Sequence, residues 1–334
     1  MRSVLVIGGG GYCGSVVVPQ LLNSGWKVTV YDILDWYGKD HLPLENQNLH
    51  VIRGDVRNTN SVAQACVGQN ALLHLACISN DASFELDEAL STSVNLDSFE
   101  PIVIAAKKAG IRRFVFASSS SVYGVSDSPD VTEDHPLVPL TLYNKYKGMC
   151  EPLLLKHTDK NFVGVVFRPA TVCGYAPRQR LDLSVNILTN HAVNKGKITV
   201  FGGEQLRPNL HVQDYSDLCE LLLNAPEEKI ANGIYNCGFQ NMSIMSIALI
   251  VKKVVEEEFP EKGSIPIDVT SSDDPRSYHI NSSKIKRELG FEPTHSIEEA
   301  VRGLCQAFRS NKLPNSFDDN KYFNVRTMKA AGAK

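Results

Sequence analysis

The chain has 334 residues, of which 43% are hydrophobic and 21% charged, with a formal net charge of −3. That length accommodates one large domain or two smaller ones around a substantial core, and the composition is that of a soluble globular protein. So small a net charge gives no electrostatic reason to expect nucleic acid or an anionic membrane as partner.

The first residues run directly into a strand pattern without a signal-peptide core, and no apolar run reaches membrane-spanning length, so a cytoplasmic protein is expected. Eight dispersed cysteines (Cys13, Cys66, Cys77, Cys150, Cys173, Cys219, Cys237 and Cys305) show neither C-x-x-C nor the Cys/His spacing of a zinc site. They predict small hydrophobes in a reducing compartment, and no metal site is expected.

In chain order, strands are predicted at 3–7, 26–31, 50–53, 71–76, 113–118 and 162–167. Helical patterns separate them: SVVVPQLLNSG, SVAQAC, the long stretch 87–110 and the segment LTLYNKYKGMCE. Near-continuously apolar strands alternating with helices predict an α/β fold, a doubly wound parallel sheet of the Rossmann kind covered on both faces. Pro101 and Pro152 fall inside predicted helices. At Pro152 a kink or early end is expected, softened because Gly148 has no side chain to crowd the ring. After residue 168 the alternation gives way to loops rich in Arg, Asn, Gly and Pro. Residues 1–168 are therefore read as a dinucleotide-binding domain and 169–334 mostly as a smaller mixed α/β substrate lobe, with some segments returning to the first domain. The last residues, NKYFNVRTMKAAGAK, lack periodicity and read as a tail.

GGGGYCG closes the first strand and opens a helix, spacing Gly8, Gly11 and Gly14 three residues apart. Glycines there permit a tight turn and close backbone approach to a pyrophosphate, which the helix N-terminus attracts. Tyr12 and Cys13 share that loop. The second strand ends at Asp32, placed to accept hydrogen bonds from an adenosine ribose and to repel the extra phosphate of NADP, so NAD is the expected cofactor. Asp55 and Val56 in GDVRN are candidates for the adenine end, although Asp55 suits a turn or helix cap equally. Leu75, Ala76 and Cys77 end the fourth strand facing the same crevice.

Tyr143 and Lys147 lie four residues apart, hence on one face of a helix. An ammonium near a phenol favours the phenolate and lowers a pKa that is otherwise ~10. The pair would then serve as a base toward a sugar hydroxyl. The spacing alone also fits a half-buried aromatic beside a solvated lysine. His211 and His74, in apolar surroundings, are read as structural.

Together GGGGYCG, GDVRN, HLA, SSSSVYG, YNKYK, FRPATVCG, RPNLHVQD and DPRSYHINSSKIKRELGF resemble, in order, the extended short-chain dehydrogenase/reductase superfamily, in its NAD-dependent nucleotide-sugar epimerase and dehydratase group. The resemblance implies a catalytic hydroxyl at Ser119, with Tyr143 and Lys147 completing a triad. It implies that Tyr143 takes a proton from a sugar hydroxyl, usually at C4, and that Lys147 also holds the nicotinamide ribose. It further implies contacts to a nucleoside-diphosphate sugar from Ser79, Asn80, Ser120, Arg178, Asn186, Arg207 and Arg276, with Arg180 a further candidate for the diphosphate. Family members usually dimerise through a four-helix bundle, here from segments 86–109 and 142–157, so a homodimer is expected.

Dehydratases of this group resemble one another in an Asp-Glu pair directly after the catalytic hydroxyl, and sugar-acid decarboxylases carry Glu there. Here those positions are Ser120 and Ser121. A C4 epimerase similar to UDP-glucose 4-epimerase is therefore expected, with a 4-dehydrogenase or 4-keto reductase as the alternative. A non-catalytic NAD-binding regulator is a weaker one, because Tyr143 and Lys147 are both present. RPAT, where the family has F-N-P, points to an unusual sugar.

Overall fold

The structure, a computed structural model, describes residues 2–79, 81–126, 128–271 and 277–332. Its strands are β1 (Ser3–Ile7), β2 (Lys27–Asp32), β3 (Leu49–Arg53), β4 (Ala71–His74), β5 (Arg113–Ala117), β6 (Val163–Pro169), β7 (Thr171–Cys173), β8 (Ile198–Phe201), β9 (Leu206–His211), β10 (Ile234–Cys237), β11 (Gln240–Ser243) and β12 (Ile267–Thr270). Seven of them form one sheet in the order β3-β2-β1-β4-β5-β6-β10, with every neighbouring pair parallel. The doubly wound sheet expected from the alternation is present, with β10 from the second half of the chain added at its edge.

The central strands β1, β4, β5 and β6 are buried almost throughout because both faces are covered. On β1, Val4 and Val6 join a core with Leu218 and Leu222 of the Val212–Asn224 helix. Leu5 and Ile7 point the opposite way, into a core with Ile102 and Val103 of the Phe99–Lys108 helix. This period of two is what a strand imposes on consecutive side chains.

The long helix expected over 87–110 is divided into Glu88–Thr92, a π-helical turn Ser93–Asp97 and Phe99–Lys108. Pro101 thus occupies a first helical turn, where its missing N–H has no intrahelical acceptor to lose. Pro152 is carried inside Leu142–Leu155, which ends three residues later.

In the second half β7, β9 and β11 make a mixed sheet, and β8 pairs in parallel with β12. Helices Ser184–Lys195, Ile244–Glu258 and Ile297–Arg309 enclose a separate core including Val185, Val251 and Val301. The C-terminal segment read as a tail is instead structured: helix Asn324–Ala330 buries Met328 against Ile78 and Leu90. Its short apolar face is completed by contacts distant in sequence, so periodicity did not reveal it. Among the described residues no helix is long and apolar enough to cross a membrane.

Candidate active site

β1 and β4 are neighbours although four elements separate them in sequence, so connections leave their C-terminal ends in opposite directions and open a crevice. A cleft of ≈ 830 Å³ lies there, lined by both halves of the chain. Gly8, at φ +87°, lies so close to β4 that an added Cβ would stand 2.4 Å from the Ala76 nitrogen. At Gly14 it would stand 2.4 Å from the Gly9 carbonyl oxygen. Both positions demand glycine, and with Gly11 they leave bare backbone at the opening of helix Gly14–Asn23.

Tyr12 and Cys13 line the cleft. The Tyr12 hydroxyl donates to the Gly174 carbonyl at 2.6 Å, and burial pushes the Cys13 thiol up to about 12. Asp32 accepts from the Gly10 N–H at 2.9 Å and the Leu34 N–H at 3.1 Å, so its carboxylate is aimed at the glycine loop. Asp55 forms an ion pair with Arg57 at 2.5 Å, which holds its carboxyl below the usual range. Asp55, Val56, Leu75, Ala76, Cys77 and Ser79 all line the same cleft. A glycine cradle that a Cβ would fill, a helix N-terminus and a carboxylate at the end of β2 fit a bound dinucleotide.

At the centre of the cleft Ser119 caps the turn Ser120–Tyr123. Its Oγ accepts from the Ser121 N–H at 3.2 Å and lies 2.7 Å from the Ser121 Oγ. Ser121 in turn donates to Asn144 Oδ1 at 2.5 Å, linking the serine turn to the helix that carries Tyr143. Asn144 was not anticipated; its only sequence signal is adjacency to Tyr143. Ser119, Ser120, Tyr143 and Lys147 all face the cleft.

Lys147 donates to the Ala117 carbonyl at 2.7 Å and lies 5.0 Å from the centre of the Phe116 ring, anchored to the end of β5. Burial pushes the Tyr143 phenol well above its usual value, with nearby Cys77 and Asp81 adding to the rise. The principal cation acting against this is Arg180, where the helical spacing suggested Lys147. Arg180 pairs with Asp182 at 2.8 Å and donates to Ser79 Oγ at 3.2 Å, while its second terminal nitrogen is buried without a hydrogen-bond partner among the described residues.

The residues expected on the substrate side divide. Arg207 lines the cleft, donates to the Leu206 carbonyl and lies 5.6 Å from the centre of the Tyr278 ring. Asn186 does not face the cleft. It is fully buried, accepts from the Gly174 N–H and donates to Tyr12 Oη and the Arg180 carbonyl, bracing the 174–180 loop. Arg178 lines the cleft on its dinucleotide side, next to Ser15 and Tyr37, because the loop after β7 folds back over the glycine loop. Asn80 and Arg276 lie outside the described residues. His211 caps helix Val212–Asn224 by accepting from the Gln213 N–H, and His74 sits among Phe99, Phe114 and Phe116.

A parallel doubly wound sheet with a dinucleotide crevice and a Ser, Tyr and Lys group at its centre defines an oxidoreductase-type cofactor fold. Residues 4–238 match the NAD dependent epimerase/dehydratase family, and the chain belongs to it: it is an enzyme, and NAD is its cofactor. It is 26% identical over 339 residues to a UDP-glucose 4-epimerase of Lactobacillus helveticus, covering 95% of this chain and 99% of that one. It is 27% identical to a dTDP-glucose 4,6-dehydratase of Streptomyces griseus, covering 92% and 94%. Among solved structures it is similar to MoeE5 in complex with UDP-glucuronic acid and NAD, with 27% identity, a TM-score of 0.78 and coverage of 92% and 99%.

Proposed function

We propose that the protein epimerises a nucleotide-diphosphate sugar at C4, through a transient 4-keto sugar. The observation that carries this reading is the environment of Ser120 and Ser121. Ser120 is 1% exposed, Ser121 is hydrogen-bonded to Asn144, and no carboxylate occupies the two positions after Ser119. Of the acids in the cleft beyond the dinucleotide end, Asp182 is paired with Arg180 and Asp81 accepts from Thr141. Elimination of water or loss of carbon dioxide calls for a second proton-transfer group; epimerisation requires one base used twice.

NAD, when bound, supplies reversible hydride acceptance. The residues of the chain do the rest. Tyr143 Oη, as the phenolate that burial opposes and the Arg180 cation favours, takes the proton of the C4 hydroxyl, and Ser119 Oγ donates to the oxygen as it becomes a ketone. Lys147, fixed by Ala117, holds the cofactor ribose beside them. Once the keto sugar has turned its other face, Tyr143 returns the proton to the same oxygen. Arg207, at the far side of the cleft, is suited to the substrate diphosphate, because a planar fork of donors matches paired phosphate oxygens. The same reading takes the active unit to be a homodimer through helices within 86–109 and 142–157, where Met149 is 41% exposed. Eight free cysteines suit a reducing cytoplasm.

The test is to incubate the protein with UDP-, GDP-, CDP- and dTDP-sugars and follow product stereochemistry and NADH together. A C4-inverted sugar without net NADH supports the proposal. Stoichiometric NADH would replace it with a 4-dehydrogenase, and a dehydrated product would overturn the argument from Ser120 and Ser121.

A further inference from the structure

Arg178 is 6% exposed, yet among the described residues none of the hydrogen bonds of its guanidinium is to a carboxylate, and Asp182 and Asp32 act on it only through space. Its backbone N–H donates to Ser15 Oγ at 3.2 Å, docking the loop on the first turn of helix Gly14–Asn23. The guanidinium lies 3.4 Å from the centre of the Tyr37 ring, five residues beyond Asp32, and its Nε is buried without a hydrogen-bond partner among the described residues. A cation so enclosed needs an anion to offset its lost hydration. It stands between the helix terminus suited to phosphate and the strand end suited to ribose, which is where the diphosphate of a dinucleotide crosses the crevice.

What holds Arg178 there comes from the far end of the chain. Asn324 Oδ1 accepts from Arg178 at 2.8 Å and from the Tyr37 hydroxyl at 3.0 Å. Asn324 Nδ2 donates to Ser79 Oγ at 2.9 Å, and its backbone N–H donates to Asp182. One side chain therefore ties together the segments after β2, β4 and β7. One turn later Met328 is packed against Ile78 and Leu90, while Ala331 and Gly332 line the cleft itself.

We infer that Arg178 is a ligand of the diphosphate of bound NAD and that Asn324 positions it, making the C-terminal segment 320–332 a working part of the cofactor site. The inference rests on NAD being the cofactor and adds that retention of NAD depends on a segment outside the dinucleotide-binding half.

The test is titration calorimetry of NAD-free protein with ADP-ribose and with adenosine, which lacks the diphosphate. Arg178→Met should weaken ADP-ribose binding by about tenfold or more, as loss of a charge-assisted contact would, and leave adenosine unchanged. Asn324→Ala should weaken ADP-ribose in the same direction by several-fold and release NAD faster on gel filtration. Arg178→Met binding ADP-ribose as tightly as wild type would overturn the ligand assignment. Asn324→Ala with wild-type affinity and retention would overturn the part given to the C-terminal segment. Should Arg178→Met fail to fold by circular dichroism, Arg178→Lys, which keeps the charge but loses the fork, carries the same comparison. Wild-type protein that binds neither NAD nor ADP-ribose would instead strike the cofactor assignment itself.

Discussion

Glu151 and Arg168 close an ion pair at 2.6 Å with side chains only 3% and 4% exposed, directly beneath the serine turn. Glu151 also accepts from Ser118 Oγ at 2.6 Å, and Arg168 donates to the Tyr123 hydroxyl at 2.6 Å. Because Glu151 lies two turns beyond Tyr143 on one helix and Arg168 lies on β6, the pair fixes that helix to the strand ends that shape the cleft. Removing one partner leaves a buried, uncompensated charge. Glu151→Ala should therefore cost about 3–5 kcal/mol of stability in urea unfolding. The double change Glu151→Leu with Arg168→Met should cost less than Arg168→Met alone, a sign that the penalty comes from the unpaired charge.

Tyr143→Phe removes the proposed base while keeping the ring. Turnover should fall by about 10²–10⁴-fold or more, with NAD content after gel filtration unchanged. Retained turnover in this variant would show that another group takes the proton. Lys147→Met should lower both activity and NAD content, because the ammonium anchored on Ala117 lines the cleft proposed to hold the cofactor ribose beside Tyr143.

Gly8→Ala tests the dinucleotide cradle. The new methyl would stand 2.4 Å from the Ala76 nitrogen in a backbone conformation, φ +87°, that L-residues rarely adopt. Loss of NAD and a lower melting temperature are expected together, read by absorbance of the purified protein and by calorimetry. Gly68→Ala, at a positive φ with nothing within 4 Å, is the control: it should cost only the conformational strain and leave NAD content intact.

His74 gives the fold a specific acid sensitivity. Burial, aided by the nearby Lys147 ammonium, pulls its imidazole down to about 3, whereas an unfolded histidine titrates near ~6.5. Above ~6.5 the ring is neutral in both states and its full contribution to stability is present. As the pH falls from there toward 3, the unfolded chain takes up a proton that the folded one refuses, and stability declines. Urea midpoints measured across that range should fall less steeply for His74→Phe than for wild type. Equal slopes would assign the acid loss to other groups.

The large sheet was legible because its central strands are short apolar runs whose alternate residues face two different cores. The glycine spacing and the acid at the end of β2 were legible because backbone approach and ribose recognition demand particular residue types at particular intervals. Asn186, expected to reach the cleft, is instead buried in helix Ser184–Lys195, since a polar residue carries no sign of which wall it will face. Only the fold-back of the 174–180 loop onto Tyr12 and Ser15 decides that. Asn324 left no trace at all: its worth lies in three segments that reach it across the fold.

Sequence by itself thus determined the parallel sheet and the dinucleotide crevice, because local periodicity and short-range spacing encode them, while the grouping of Ser119 with Tyr143 and Lys147 came from the family resemblance. Tertiary structure alone decided which cation acts on the Tyr143 phenol and which arginine lies beside the glycine-loop helix. It also drew the C-terminal segment into the site. Burial, charge pairing and hydrogen-bond geometry depend on residues brought together from distant parts of the chain.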